Sequence, residues 1–186
     1  MKTALILIDI QNDYFPKGKM ELEGSVEASL HAQQVLTFFR EQQLPVVHIQ
    51  HISIRPGATF FLPETEGVKI HSHVQPLIAE LVIQKHYPNS FRETGLLEYL
   101  QQKQITRLVL CGMMTHMCVE ATTRAAFDYG FECLVIHDAC ATRSLSFQGK
   151  MIPAAQVHGA FLAALASTYA SVLGVEEAIP SLKKPA

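Results

Sequence analysis

The chain has 186 residues, 48% of them hydrophobic, which suits one domain with a sizeable core spanning 1–186. A formal net charge of −2, with Lys and Arg scattered rather than clustered, argues against nucleic acid or an anionic membrane as partner. No apolar run approaches membrane-spanning length, and the cysteines at 111, 118, 133 and 140 form no C-x-x-C pair of a zinc knuckle or dithiol redox motif.

In chain order, the first apolar run is TALILID (3–9), too short for a signal-peptide core and followed directly by a candidate acid. Four more runs read as buried strands: PVVHIQ (45–50), ELVIQK (80–85), RLVLCG (107–112) and ECLVIHD (132–138), with a sixth near ASVLG (170–174). They are apolar throughout rather than alternating, as expected of parallel strands covered on both faces. Helical segments are predicted at about 25–43, 95–103, 116–129 and 153–167. The third carries Val119, Thr122, Thr123 and Ala126 at helical spacing, with Gly130 as C-cap. This alternation predicts a doubly wound, three-layer α/β/α sandwich with a mostly parallel, Rossmann-like sheet of about six strands. Residues 51–79 break the rhythm with three prolines and two glycines; a connection this long is usually functional or mobile. Phe60 and Phe61 within it suit a pocket wall or a subunit contact equally. The Lys-Lys-Pro-Ala end reads as solvated.

Ligands of open α/β sheets bind beyond the carboxyl ends of the strands. Asp9 ends the first run, Lys85 the third, and Cys118 follows the fourth in the turn to a helix. Alone, these residues are a turn former, a solvated cation and a small buried hydrophobe. Together at one sheet edge they suit catalysis: a helix start and a nearby lysine favour thiolate, and the carboxylate shuttles a proton.

The ordered segments DIQNDYF (9–15), K-x-x-x-x-S-F (85–91), GMMTHMCV (112–119) and GFECLVIHDACA (130–141) resemble the isochorismatase-like cysteine hydrolases, which include nicotinamidases and N-carbamoylsarcosine amidases. The resemblance covers nearly the whole chain. It implies Asp9 as general acid/base, Lys85 as its charged partner and Cys118 as nucleophile. It further implies a cis Met113–Met114 bond and an oxyanion hole made by the Met114 and Cys118 N–H groups. The activity implied is hydrolysis of a small amide, imide or ureide through a thioester, without organic cofactor. The thiol favours C–N cleavage, because enzymes acting on the vinyl ether of isochorismate lack a cysteine there. Tyr14 matches a pocket position, and relatives commonly form dimers, tetramers or larger assemblies. The apolar segment 154–174 is a candidate for such an interface, although a buried helix explains it equally well.

The sequence departs from nicotinamidases at their Asp-x-His metal motif, because HIQHISIRPG (48–57) has no Asp after the second strand. His48, His51, His71 and His73 are available imidazoles, but bonding to backbone or water is the simpler reading, so no metal is expected. Gln11, Asn12 and Asp13 are expected to fix the first turn, and Thr115 to act as a cap rather than a catalyst. His116 either contacts substrate or faces water. Cys111, Cys133 and Cys140 are expected to be packing residues, with free thiols in a reducing cytoplasm. Two rival readings are a nucleotide or flavin protein, disfavoured because DIQNDYFPKG follows the first strand without G-x-G-x-x-G, and a thiol-redox or catalytically silent relative, which leaves Asp9 and Lys85 without a purpose.

Overall fold

The computed structural model describes residues 2–183; residues 184–186, most of the end expected to be solvated, lie outside the described residues. Six parallel strands form the main sheet: β1 (Thr3–Ile8), β2 (Val46–His51), β3 (Leu81–Lys85), β4 (Arg107–Met113), β5 (Glu132–Ala141) and β8 (Ser171–Leu173), in the order β3-β2-β1-β4-β5-β8. β1 and the central stretches of β4 and β5 are buried almost completely, which is why their sequences are apolar without alternation.

Helices α1 (Ser25–Glu41), α2 (Leu96–Gln102), α3 (Glu120–Asp128), α4 (Ala154–Ala166) and α5 (Val175–Lys183) flank the sheet. α1 turns Ala28, Ala32, Val35, Leu36 and Phe39 inward at helical spacing and packs on β5 and α5. α3 packs on β5 and α4, and ends as expected: Gly130 takes φ +87, while Phe131 N–H donates to the Ala126 carbonyl. The residues before it, Thr115–Val119, form a π-helical turn rather than the start of that α-helix. Two elements were not foreseen. A hairpin of β6 (Leu145–Phe147) and β7 (Lys150–Ile152) is short and largely exposed, and α5 carries Pro180 inside it. Among the described residues, no helix is long and apolar enough to cross a membrane.

Two features fix the register of the sheet, one at its carboxyl edge and one at its amino edge. Gly112 pairs with Ile8 at φ +131, and a Cβ there would stand 2.0 Å from the Ile8 carbonyl oxygen. Only glycine allows β4 and β1 to close at this point. At the other end, Glu80 precedes β3 and anchors it to α1 and β2. Its carboxylate accepts from Arg40 Nε and Nη2, each at 2.7 Å, from the Leu77 N–H at 2.9 Å, and lies 2.9 Å from His48 Nε2. Burial alone would raise the Glu80 pKa, but the Arg40 fork and the other donors bring it down to about 2.

Substituting Gly112→Ala should cost about 2–4 kcal/mol in urea unfolding, from steric overlap plus positive φ; a loss below about 0.5 kcal/mol contradicts the close approach. A folded pKa below the unfolded one means that Glu80 stabilises fully above its unfolded value and progressively less as pH falls towards about 2. The stability gap between wild type and Glu80→Gln should therefore shrink between pH 5 and pH 2, by up to about 3 kcal/mol. A constant gap would show that the carboxylate's ionisation is not linked to folding.

Candidate active site

Asp9 follows β1 with φ +51, and its N–H donates to the Ile49 carbonyl of the neighbouring strand. Lys85 ends β3, in register with His51 at the end of β2. The lysine side chain spans beneath β2's end: its Nζ lies 2.8 Å from Asp9 Oδ2 and donates to the Pro88 carbonyl at 2.8 Å. Both side chains of this ion pair are wholly buried. The pair is close but poorly aligned, so neither carboxylate oxygen has a properly directed hydrogen-bond donor.

Cys118 stands in the π turn after β4, and its Sγ, an Asp9 carboxylate oxygen and a His51 ring nitrogen all lie within 4.8 Å of one another. The three strand-end residues singled out in the sequence thus converge at one place. The electrostatics differ from the sequence expectation of a favoured thiolate. Burial first, and Asp9 second, push the Cys118 thiol far up, and Lys85 offsets only part of this. The resting group is the protonated thiol. Burial would lower the Lys85 pKa, but Asp9 and Cys118 reverse the sign, so the ammonium is retained.

Above Cys118 opens a cavity of about 140 Å³, lined by Tyr14, His51, Phe60, Phe61, Met114 and Met117, with Ser53, Arg55, His86, Tyr87 and Pro88 completing it. Tyr14, Phe60 and Phe61 form an aromatic wall, with ring centroids 4.6–5.9 Å apart. Burial, then Cys118 and Asp9, raise the Tyr14 phenol well above its ordinary value, so it remains neutral. His116 does not line this cavity. It lies 2.5 Å from Thr142 Oγ1 and packs edge-on against Phe161, and Met117 takes the place at the mouth. Thr115 is no helix cap either: its hydroxyl reaches the Ala141 carbonyl and His158.

The first turn and the long segment are tied together. Gln11 donates from Nε2 to the His51 and Val68 carbonyls and accepts the His51 N–H at 2.7 Å. Asn12 donates to the Glu66 carbonyl, and the buried Asp13 accepts the Phe61 N–H at 2.7 Å. These residues therefore pin residues 51–68 instead of fixing only their own turn. Sequence reading missed His51 as a site residue because it was weighed only as a metal ligand. Among the described residues, the one group of three ligand-type side chains within reach of each other is Asp9, His51 and Cys118. His48 pairs with Glu80, while His71 stacks on Phe15 with centroids 3.6 Å apart and His73 bonds Ser29. The peptide bond between Met113 and Met114 is cis. All four cysteines are free and buried.

An isochorismatase domain model matches residues 3–172. The chain belongs to the isochorismatase family. The uncharacterized isochorismatase family protein YddQ of Bacillus subtilis is 51% identical over 176 residues, covering 95% of this chain and 98% of that one. A crystal structure of an isochorismatase hydrolase from Oleispira antarctica superposes with a TM-score of 0.92 at 49% identity, covering 96% of each chain. The nicotinamidase of Acinetobacter baylyi is 27% identical, over 74% of this chain and 80% of its own length. This isochorismatase-family hydrolase therefore shares its fold with the Oleispira structure and most of its length with all three relatives, one of them named for an amide.

The neutral resting thiol gives a direct expectation. Alkylation of Cys118 by iodoacetamide, followed by peptide mass spectrometry, should be slow at pH 7 and still rising with pH at pH 9. A pH-independent plateau below pH 7 would reveal a pre-formed thiolate.

Proposed function

We propose that this protein is a cysteine hydrolase that cleaves the C–N bond of a small amide, imide or ureide through a thioester on Cys118. The observation that carries this reading is the convergence of Cys118 Sγ, which lines a small aromatic-walled cavity, with the Asp9 carboxylate buried behind it, itself 2.8 Å from buried Lys85. A thiol and a carboxylate so placed exchange a proton without changing the net charge of the site. That suits a buried environment in which a free-standing thiolate is disfavoured.

As the substrate carbonyl arrives, the Cys118 proton passes to Asp9 and sulfur attacks the carbonyl carbon. The Met114 and Cys118 N–H groups are the proposed donors to the developing oxyanion. Protonated Asp9 then delivers its proton to the leaving nitrogen, and the C–N bond breaks to leave an acyl-thioester. Asp9, again a carboxylate, takes a proton from water as that water attacks the thioester; the proton returns to sulfur when the acid departs. Lys85 keeps its positive charge throughout and counterbalances Asp9 whenever the carboxylate is ionised. Tyr14, Phe60 and Phe61 form one wall and suit a flat or compact acyl group. The named activity of the Acinetobacter relative supports C–N over ether hydrolysis.

The test is ammonia release from a panel of amides, ureides and carbamoyl compounds. Cys118→Ala should lower turnover by about 10³-fold or more, and acid-quenching the wild-type enzyme during turnover should reveal an acyl adduct on Cys118 by intact mass. Equal activity in the alanine variant, or no turnover across the panel, defeats the proposal.

A further inference from the structure

We infer that His51 is a substrate-contacting residue that accepts an N–H from the leaving nitrogen and so makes the site selective for amides that keep at least one N–H there. The inference rests on the acyl-transfer reading above and assigns a residue and a leaving-group class that it leaves open.

His51 is held firmly. Its backbone N–H and carbonyl are both taken by the Gln11 side chain, at 2.7 and 2.9 Å, and Gln11 is anchored in turn to the Val68 carbonyl at 2.7 Å. The β2–β3 register sets it opposite Lys85, and its ring stands 6.0 Å from Phe61 in the cavity wall. Yet the ring itself has work left undone: Nδ1 is buried and has no hydrogen-bond partner. Buried polar atoms are nearly always paired, and an orphan at a cavity points to a partner supplied by ligand. Both Asp9 carboxylate oxygens share that condition.

Burial lowers the His51 pKa despite Asp9, so the imidazole is neutral and offers one donor and one bare acceptor nitrogen. An atom placed among Cys118 Sγ, Asp9 and the His51 ring, all mutually within 4.8 Å, touches all three. For a substrate under attack by sulfur, that atom is the leaving nitrogen, because Asp9 must reach it with a proton. The nitrogen's lone pair faces Asp9 to take that proton, and an N–H on its other flank donates to His51. An N,N-dialkyl amide and an ester have no such N–H. Once ammonia leaves, a water with two O–H bonds fits the same place, donating one to Asp9 as base and the other to His51. The same three groups resemble a metal donor set, but the Lys85 ammonium at 2.8 Å already supplies Asp9 with positive charge, and a dication would lie against it.

Two measurements test this. In full-length Cys118→Ala protein with 15N-labelled histidine, adding acetamide, benzamide or methylurea should shift a His51 ring nitrogen, and N,N-dimethylbenzamide or methyl benzoate should not. In the active enzyme, His51→Ala should reduce kcat/KM for the best primary amide about 10- to 100-fold and change kcat/KM for 4-nitrophenyl acetate, which reports acylation alone, by less than about 3-fold. His51→Gln, which restores an acceptor, should recover part of the loss. Equal losses in kcat/KM on amide and ester would make His51 merely structural and overturn the inference. So would turnover of N,N-dimethylbenzamide as fast as of benzamide, or a His51 resonance that no amide with an N–H moves. Retained turnover in Cys118→Ala sinks the acyl-transfer reading together with this one; a dead Cys118→Ala beside an unimpaired His51→Ala sinks this one alone.

Discussion

The buried ion pair between Asp9 and Lys85 is the constraint on which the rest of the site depends. Two full charges 2.8 Å apart and out of water are tolerated only while both are present, because loss of either leaves an uncompensated charge in the interior. The pair therefore requires β1 and β3 to end at matching heights, with β2 between them held in register. It also accounts for the state of Cys118. With acid and ammonium already balanced, an additional negative charge on sulfur would have no counter-ion of its own, which favours the protonated thiol.

A second consequence concerns polarity. Cys118 lines the cavity with the buried, mutually neutralising Asp9–Lys85 pair behind it, while one wall is built from Tyr14, Phe60 and Phe61. Low-dielectric walls strengthen the polar interactions beside them, and the narrow volume limits how much water accompanies a ligand. The protein therefore combines an apolar wall with a small number of directional groups, the usual make-up of a small-molecule site.

Much of this was legible in the sequence because its causes are local. Buried parallel strands need unbroken apolar runs, so β1, β2, β4 and β5 were visible, and the part-exposed β3 and β8 showed as shorter apolar runs; ligands of such sheets bind at strand ends, so Asp9, Lys85 and Cys118 could be picked out. What escaped depends on contacts distant in sequence or on weak local signals. The β6–β7 hairpin buries too little to impose a pattern, and Pro180 masks α5. His51 looks like any strand-end histidine until Gln11, forty residues earlier, is seen to clamp its backbone. The resting state of Cys118 also could not be read, because neighbouring residue types indicate the sign of nearby charges but not how completely water is removed. His116 illustrates the converse error: adjacency to Cys118 in sequence suggested the cavity, and the π turn carries it instead to Thr142.

The stitching of residues 51–68 to the turn at 11–13 has an architectural meaning. Gln11 holds the segment's start and Val68, Asn12 its Glu66 carbonyl, and Asp13 the Phe61 N–H, so the fixed points are backbone atoms throughout. Side chains between them, at Ser53, Arg55 and Phe60 for instance, face the cavity without supporting any of these bonds. The frame grips main chain only, so substitutions at Ser53, Arg55 or Phe60 leave these anchoring bonds in place while Asp9, Lys85 and Cys118 stay where the sheet put them.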